Sequence, residues 1–333
     1  MTDLINEFKK VQTEIQKLTE SKQDLTKIKR RIIYLLGTLY KKVDNWTADN
    51  IPIMYEDAKT QVLKDIHRAE MRIGAVYDDI AIENAIANVN IYLEQAVDDA
   101  QRNMEDFMNG MLDTDADRQR LAEYVADGVP SSYYWRDYKK VFYTIVPYAL
   151  LVLGNTTHEL RNIAAINVTK DINRDLVFMS YHFGSCPICI PYEGRVYSLS
   201  GTDPNYPYLY STPWNETYQN MHPNCRHLIT PYIEDLKTPE EIAADRAYSN
   251  RSFVVGGQGW TKEQVEQAKK SLEYYRQWQA GKRKTYENRR MYERYKARMG
   301  DKAPKTFAAF SRIKSANGKA WEKLQREYRN MLD

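Results

Sequence analysis

Cysteine is nearly missing from this chain: three residues in 333, an odd number and too few for a disulfide scaffold. Long apolar runs are missing too. The longest, Val141 to Gly154, is interrupted by Thr144 and Pro147 and falls short of the roughly 20 residues a membrane span needs. No secretory signal opens the sequence, whose first turns are polar and periodic, so the expectation is a soluble, cytoplasmically made protein without a membrane span. No internal repeat with a period of about 20–50 residues is visible. Gly256, Gly257 and Gly259 lack the spacing of a phosphate cradle and read as a flexible joint.

What is present suffices for a core. Hydrophobic residues make up 43%, which excludes a wholly disordered chain, while 28% charge and a mean hydropathy of −0.68 exclude an integral membrane protein. The net charge of +3 conceals a segregation. From Thr261 to Asp333 there are 20 Lys and Arg against 9 Asp and Glu, whereas from Asp44 to Pro130 the acids outnumber the bases by more than two to one. An acidic body and a basic tail suit different partners. The 26 tyrosines, dense at Tyr133–Tyr148 and Tyr192–Tyr218, suit interfaces as well as ordinary half-buried positions.

The periodicity predicts a mainly α protein: a long helical N-terminal region, a small α+β Cys/His segment of zinc-knuckle type, and a basic helical C-terminal tail. Leu4, Val11, Leu18, Leu25, Ile32 and Leu39 recur at seven-residue spacing, with Phe8, Ile15, Lys22, Lys29 and Leu36 in the second seam position. With no Gly or Pro before Gly37, this predicts one helix over residues 1–44, either a coiled-coil seam open to self-association or a helix docked on its own domain. An Asn/Asp/Pro cluster at Asp44–Pro52 predicts a loop, and an acidic helical body follows over 45–160. Its carboxylate pairs Asp78/Asp79 and Asp98/Asp99 read as a solvated face, since neighbours on a helix point apart. Asp113, Asp115 and Asp117 lack the Gly and Glu of a calcium loop. Tyr133–Leu160 reads as helical, Asp175–Tyr181 as a strand, and Thr261 as the cap of a final helical region.

All three cysteines and three of the five histidines fall between His182 and His227. Cys186-Pro-Ile-Cys189 is a knuckle that aims two thiolates at one point, and Cys225-Arg-His227 follows after 35 residues. Cys186, Cys189, Cys225 and His227 form a candidate closed structural zinc site, with His222 as the alternate fourth ligand. Zinc suits mixed sulfur and nitrogen donors, where calcium or magnesium would need oxygens. The competing readings are an inert thiol pair or a zinc-stabilised nuclease built around His222-Pro-Asn224. A deaminase or zinc protease is excluded, because His158-Glu159 has the wrong spacing for either. No partner pair for a thiol nucleophile can be identified from spacing.

The run His182-x3-Cys186-Pro-Ile-Cys189-Ile-Pro-Tyr-Glu-Gly194-Arg-Val-Tyr197-Ser, with His222-Pro-Asn-Cys-Arg-His227 and Pro231-Tyr232, resembles the tailed-phage minor capsid protein 2 family. That family is similar to the wider Mu F-like head morphogenesis proteins, which often carry Cys where this chain has His227. The close resemblance covers residues 171–235, within a Cys/His segment placed at 161–235. It implies a structural, non-enzymatic virion component, made in the bacterial host cytoplasm and associated with portal or capsid proteins inside the phage head. Such a protein would aid head assembly or DNA packaging and delivery; the alternative function is the nuclease, and a host-directed effector is a third reading.

In the linker and tail, 236–333, Arg283, Arg290, Arg294 and Arg298 fall along one broad helical face with Tyr286, Tyr292 and Tyr295 interleaved. Such a face can neutralise DNA phosphates and stack on bases, or dock on the acidic region of the same chain.

Overall fold

The computed structural model describes residues 1–66, 78–133 and 142–331. Helices α1 (Thr2–Thr19) and α2 (Leu25–Ile66) form an antiparallel hairpin in which Glu7 pairs with Lys42 and Glu14 with Arg31. The single helix expected over 1–44 is therefore broken. Ser21 Oγ donates to the Leu18 carbonyl, and the Asp24 carboxylate accepts from the amides of Thr26 and Lys27, which restarts the helix. Lys22 lies exposed in this turn and leaves the seam. Leu4, Phe8, Val11 and Ile15 are buried against the chain's own α2, α4 and α5, so the seam read as open to self-association is filled internally.

The loop expected at Asp44–Pro52 is also helical. Val43, Thr47, Ile51 and Tyr55 are spaced four apart and fully buried. Their burial outweighs the roughly 3 kcal/mol that Pro52 costs within α2. Helix α3 (Asp78–Met108) packs against α2 and α5. Its Asp78 departs from the solvated-face reading: it is buried, takes a hydrogen bond from Tyr55 Oη at 2.5 Å and pairs with Lys59. Helix α4 (Asp115–Val125) starts at Thr114, whose hydroxyl accepts from the Asp117 amide.

Two short strands, β1 (Pro130–Tyr133) and β2 (Phe142–Thr144), pair antiparallel where the sequence reads as helical. Residues 134–141 of that expectation lie outside the described residues. Helix α5 (Ile145–Asp171) then runs from the acidic body into the Cys/His segment. The predicted strand is β3 (Leu176–Met179), the centre of an antiparallel sheet between β4 (Val196–Ser198) and β5 (Ile229–Pro231). Val177 pairs with Tyr197, and Phe178 with Thr230. Alternation along β3 sends Val177 and Met179 into a core with α5 and two cysteines, and Leu176 toward Tyr206 and Tyr232.

Helix α6 (Pro239–Ser249) leads to a glycine-bearing turn and then α7 (Lys262–Met299). That turn is pinned, not a free joint. The Arg251 guanidinium lies between the rings of Tyr248 (3.5 Å) and Trp260 (3.8 Å), and Trp260 Nε1 donates to the Ser252 carbonyl. Gly259 has φ +82°, and a Cβ there would fall 2.9 Å from Arg251 Cβ. The fully buried Arg195 donates to the carbonyls of Pro191, Ser249, Arg251 and Ser252, tying the turn to the sheet. Thr261 caps α7 in a reciprocal box with Gln264. Helices α8 (Phe307–Ala316) and α9 (Lys319–Arg329) fold back on α7 around Tyr292, Tyr295, Phe310 and Trp321. Mainly α describes the whole, with nine α-helices among the described residues.

Candidate metal centre

The Cys186–Cys189 knuckle forms because its backbone turns twice. The amides of Cys189 and Ile190 both donate to the Cys186 carbonyl, and those of Tyr192 and Glu193 to the Cys189 carbonyl. Gly194, at φ +72°, ends the turns, and its amide donates to Met179 of β3. On the other side, His222-Pro-Asn-Cys225 closes a turn with Asn224 at φ +61°, a conformation that asparagine tolerates. Gly184, at φ +82°, lies so close to α7 that a Cβ would meet the Tyr274 ring at 2.5 Å. The Gly184 and Ser185 amides both donate to the buried Ser271 hydroxyl of α7.

All five candidate ligands come together, but as two triads that share Cys189. Cys186, Cys189 and His222 form one, and Cys189, Cys225 and His227 the other, with donor atoms within 4.8 Å of one another in each. His222 Nε2 is 3.1 Å from both Cys186 Sγ and Cys189 Sγ. Cys189 Sγ and Cys225 Sγ are 3.9 Å apart, and Cys225 Sγ is 3.6 Å from His227 Nδ1. A tetrahedral zinc centre has ligand–ligand edges of about 3.5–3.8 Å, given its bond lengths. The Cys189–Cys225 and Cys225–His227 separations lie close to those edges, while the His222 contacts are shorter.

Both imidazoles are oriented as metal ligands. His222 Nδ1 lies 2.7 Å from the Pro223 carbonyl, which leaves Nε2 facing the thiols. His227 Nε2 lies 2.8 Å from Glu193 Oε2, which leaves Nδ1 facing Cys225. Glu193 is buried and also accepts from Ser185 Oγ at 2.6 Å. Sequence reasoning passed over it, although a carboxylate four residues after the second knuckle cysteine was the available signal.

The electrostatics favour thiolates at Cys186 and Cys225. A hydrogen bond from Cys189 pushes Cys186 down to about 4, with His222 adding to the effect. Cys189 is pushed up because it faces Cys186 and Cys225. Cys225 lies well below the ordinary thiol range, first through Cys189 and then through His227. Burial opposes a charge on His227, yet Cys225 and Glu193 outweigh it and raise the imidazole to about 9. Three sulfur and two nitrogen donors in a largely buried pocket fit zinc; binding would displace the protons that this arrangement otherwise holds.

A cleft of about 630 Å³ opens beside the cluster, between it and α7. Asn155 and His158 of α5, Asn224 and Arg226, and Trp278, Lys282 and Arg283 of α7 line it. His158 and His182, also on its wall, are both pushed down chiefly by burial.

The four tail arginines do not share one fate. Arg298 forms a two-armed pair with Glu123 of α4, and Arg290 Nε lies 2.7 Å from Asp127 Oδ2. Arg283 and Arg294 are exposed and form no salt bridge among the described residues, although Arg294 is near enough to help hold the Glu123 carboxyl down. Tyr292 and Tyr295 are buried in the α7–α9 core, and Tyr286 is exposed.

A sequence profile of phage minor capsid protein 2 matches residues 5–303. No curated protein and no solved structure matches the chain. The profile extends far beyond the 171–235 segment and takes in the helical N-terminal half. Because one match spans the helical body, the Cys/His segment and all of α7, the chain belongs to the phage minor capsid protein 2 family.

Proposed function

We propose that this structural phage protein sits at the portal inside the head and aids head assembly or the packaging and delivery of DNA. The observation that carries the reading is the family match across residues 5–303, which joins body, cluster and tail in one unit. In this reading the acidic body docks on portal or capsid subunits. The cluster holds one structural zinc through Cys186, Cys189, Cys225 and either His227 or His222. It fixes loops that bury little apolar surface of their own. Arg283 and Arg294, which form no salt bridge among the described residues, are available to DNA phosphates, whereas Arg290 and Arg298 would first have to leave Asp127 and Glu123.

The nuclease reading is the weaker one. A hydrolytic magnesium or calcium ion needs oxygen ligands, and the described residues lining the cleft include no Asp or Glu. The test is reconstruction of the virion combined with incubation of the purified protein with DNA and divalent metals. Density for the chain at the portal vertex with intact DNA supports the proposal; a position on the outer capsid, or metal-dependent cleavage, overturns it.

A further inference from the structure

The cleft beside the cluster is lined by cations and by no acid. Although the chain carries 45 Asp and Glu, none of the described residues on this wall is one. Three cations converge instead: Arg226 from the turn that carries Cys225, and Lys282 and Arg283 from α7. They come from segments far apart in sequence and are held by packing. The Trp278 ring lies beneath both Lys282 Nζ, at 3.9 Å, and Arg226 Cζ, at 5.6 Å from its centroid. One aromatic ring thus anchors a cation from α7 and a cation from the Cys225 turn on the same wall. Neutral polar groups complete the wall. His158 Nδ1 is buried without a hydrogen-bond partner, and Asn224 lies at the rim. At about 630 Å³ the cleft exceeds what a lone small anion would fill. Its α7 side continues into exposed Lys284 and Arg289, a track that suits a polyanion.

We propose that this cleft is a phosphate-binding site that seats a phosphodiester group of duplex DNA between Arg226, Lys282 and Arg283. The proposal rests on the DNA contact assigned above to the tail and narrows it to a pocket that the cluster and α7 build together. The Trp278 ring is the positioning element. Because the contact is to phosphate, binding is independent of sequence and strongly salt-dependent.

The test uses the full-length protein with a mixed-sequence duplex, titrated over a range of salt. The cleft variant Lys282→Gln/Arg283→Gln is compared with Lys262→Gln/Lys269→Gln, an exposed pair on α7 outside the cleft. Loss of two phosphate contacts should reduce the slope of log affinity against log salt by about 1.8 and weaken binding roughly fifty-fold near 0.1 M salt. The outer variant should stay near wild type. Arg226→Gln should lower the slope by about 0.9, half the double variant's effect, at unchanged zinc content; the exposed α7 pair keeps the test valid should that variant misfold. If the outer variant loses binding and the cleft variant does not, the cleft is overturned while tail–DNA contact stands. If the wild type binds no duplex, both fall. Tight saturable binding of inorganic phosphate without duplex binding, or binding of an acidic peptide alone, also overturns the assignment.

Discussion

Arg298 offers a direct measure of how firmly the basic tail is committed to its own body. Its Nε lies 2.6 Å from Glu123 Oε1, and its second arm reaches Oε2. The two side chains are 9% and 19% exposed, so the pair is largely, though not wholly, out of water. A hydrogen bond to a charged group contributes about 1.5–3 kcal/mol net, and desolvation of both partners offsets part of two such bonds. A coupling of about 2 kcal/mol is therefore expected from the double-mutant cycle of Glu123→Gln and Arg298→Met. Arg298→Met alone should cost about 1 kcal/mol more than Glu123→Gln, since the guanidinium also lies 4.2 Å from the Tyr328 ring centroid. Denaturant unfolding followed by tryptophan fluorescence gives the free energies, and hydrogen exchange along α7 locates the loss. A coupling below about 0.5 kcal/mol would refute the reasoning, since it is what an exposed pair gives. DNA binding supplies an independent readout: Arg298→Met should leave the salt slope unchanged, and a fall of about 0.9 would show that Arg298 leaves Glu123 for a phosphate.

The remaining predictions concern the cluster and pH. Cys189→Ser removes the donor common to both triads, so the expected outcome by metal analysis is a fall from about one zinc per chain to none, with new protease cleavage between Asp171 and Tyr232. Glu193→Gln should weaken zinc about 10–100-fold if His227 is the fourth ligand; unchanged affinity, together with zinc loss in His222→Ala, would assign the site to His222 instead. Burial resists ionisation of Glu123, but Arg298 outweighs it and holds the carboxyl below its ordinary 4.5. Its contribution to docking is thus present above that value and lost as pH falls through the depressed one, so α7 exchange protection should drop on acidification in wild type and less in Glu123→Gln.

Much of the architecture could be read from periodicity, and the failures have physical causes. The seam at Leu4, Phe8, Val11 and Ile15 marked a buried face correctly, because burial alone sets that pattern. It could not show that Asp24 would cap a new helix, because the heptad spacing continues through the turn at the cost of placing Lys22 in solvent. Pro52 read as a breaker because propensity is local, whereas the burial of Thr47, Ile51 and Tyr55 that overrides it is tertiary. At the cluster, the spacing of Cys186, Cys189 and Cys225 predicted their convergence. Spacing could not separate His222 from His227, since each has its own orienting acceptor. The basic face of α7 was legible as charge, but its division between α4 and open surface was not. That division depends on Glu123 and Asp127, more than 160 residues away in sequence.

Helix α7 is fastened at two distant points. Near its start, Ser271 receives the amides of Gly184 and Ser185, and farther along Arg290 and Arg298 grip α4. At about 1.5 Å per residue, Ser271 and Arg298 stand roughly 40 Å apart on one continuous rod. Mechanically it is a strut, loaded at both ends and stiff between them. Helix α7 thus adds a second continuous link between body and knuckle beside α5, and it runs past the wall where its cations gather.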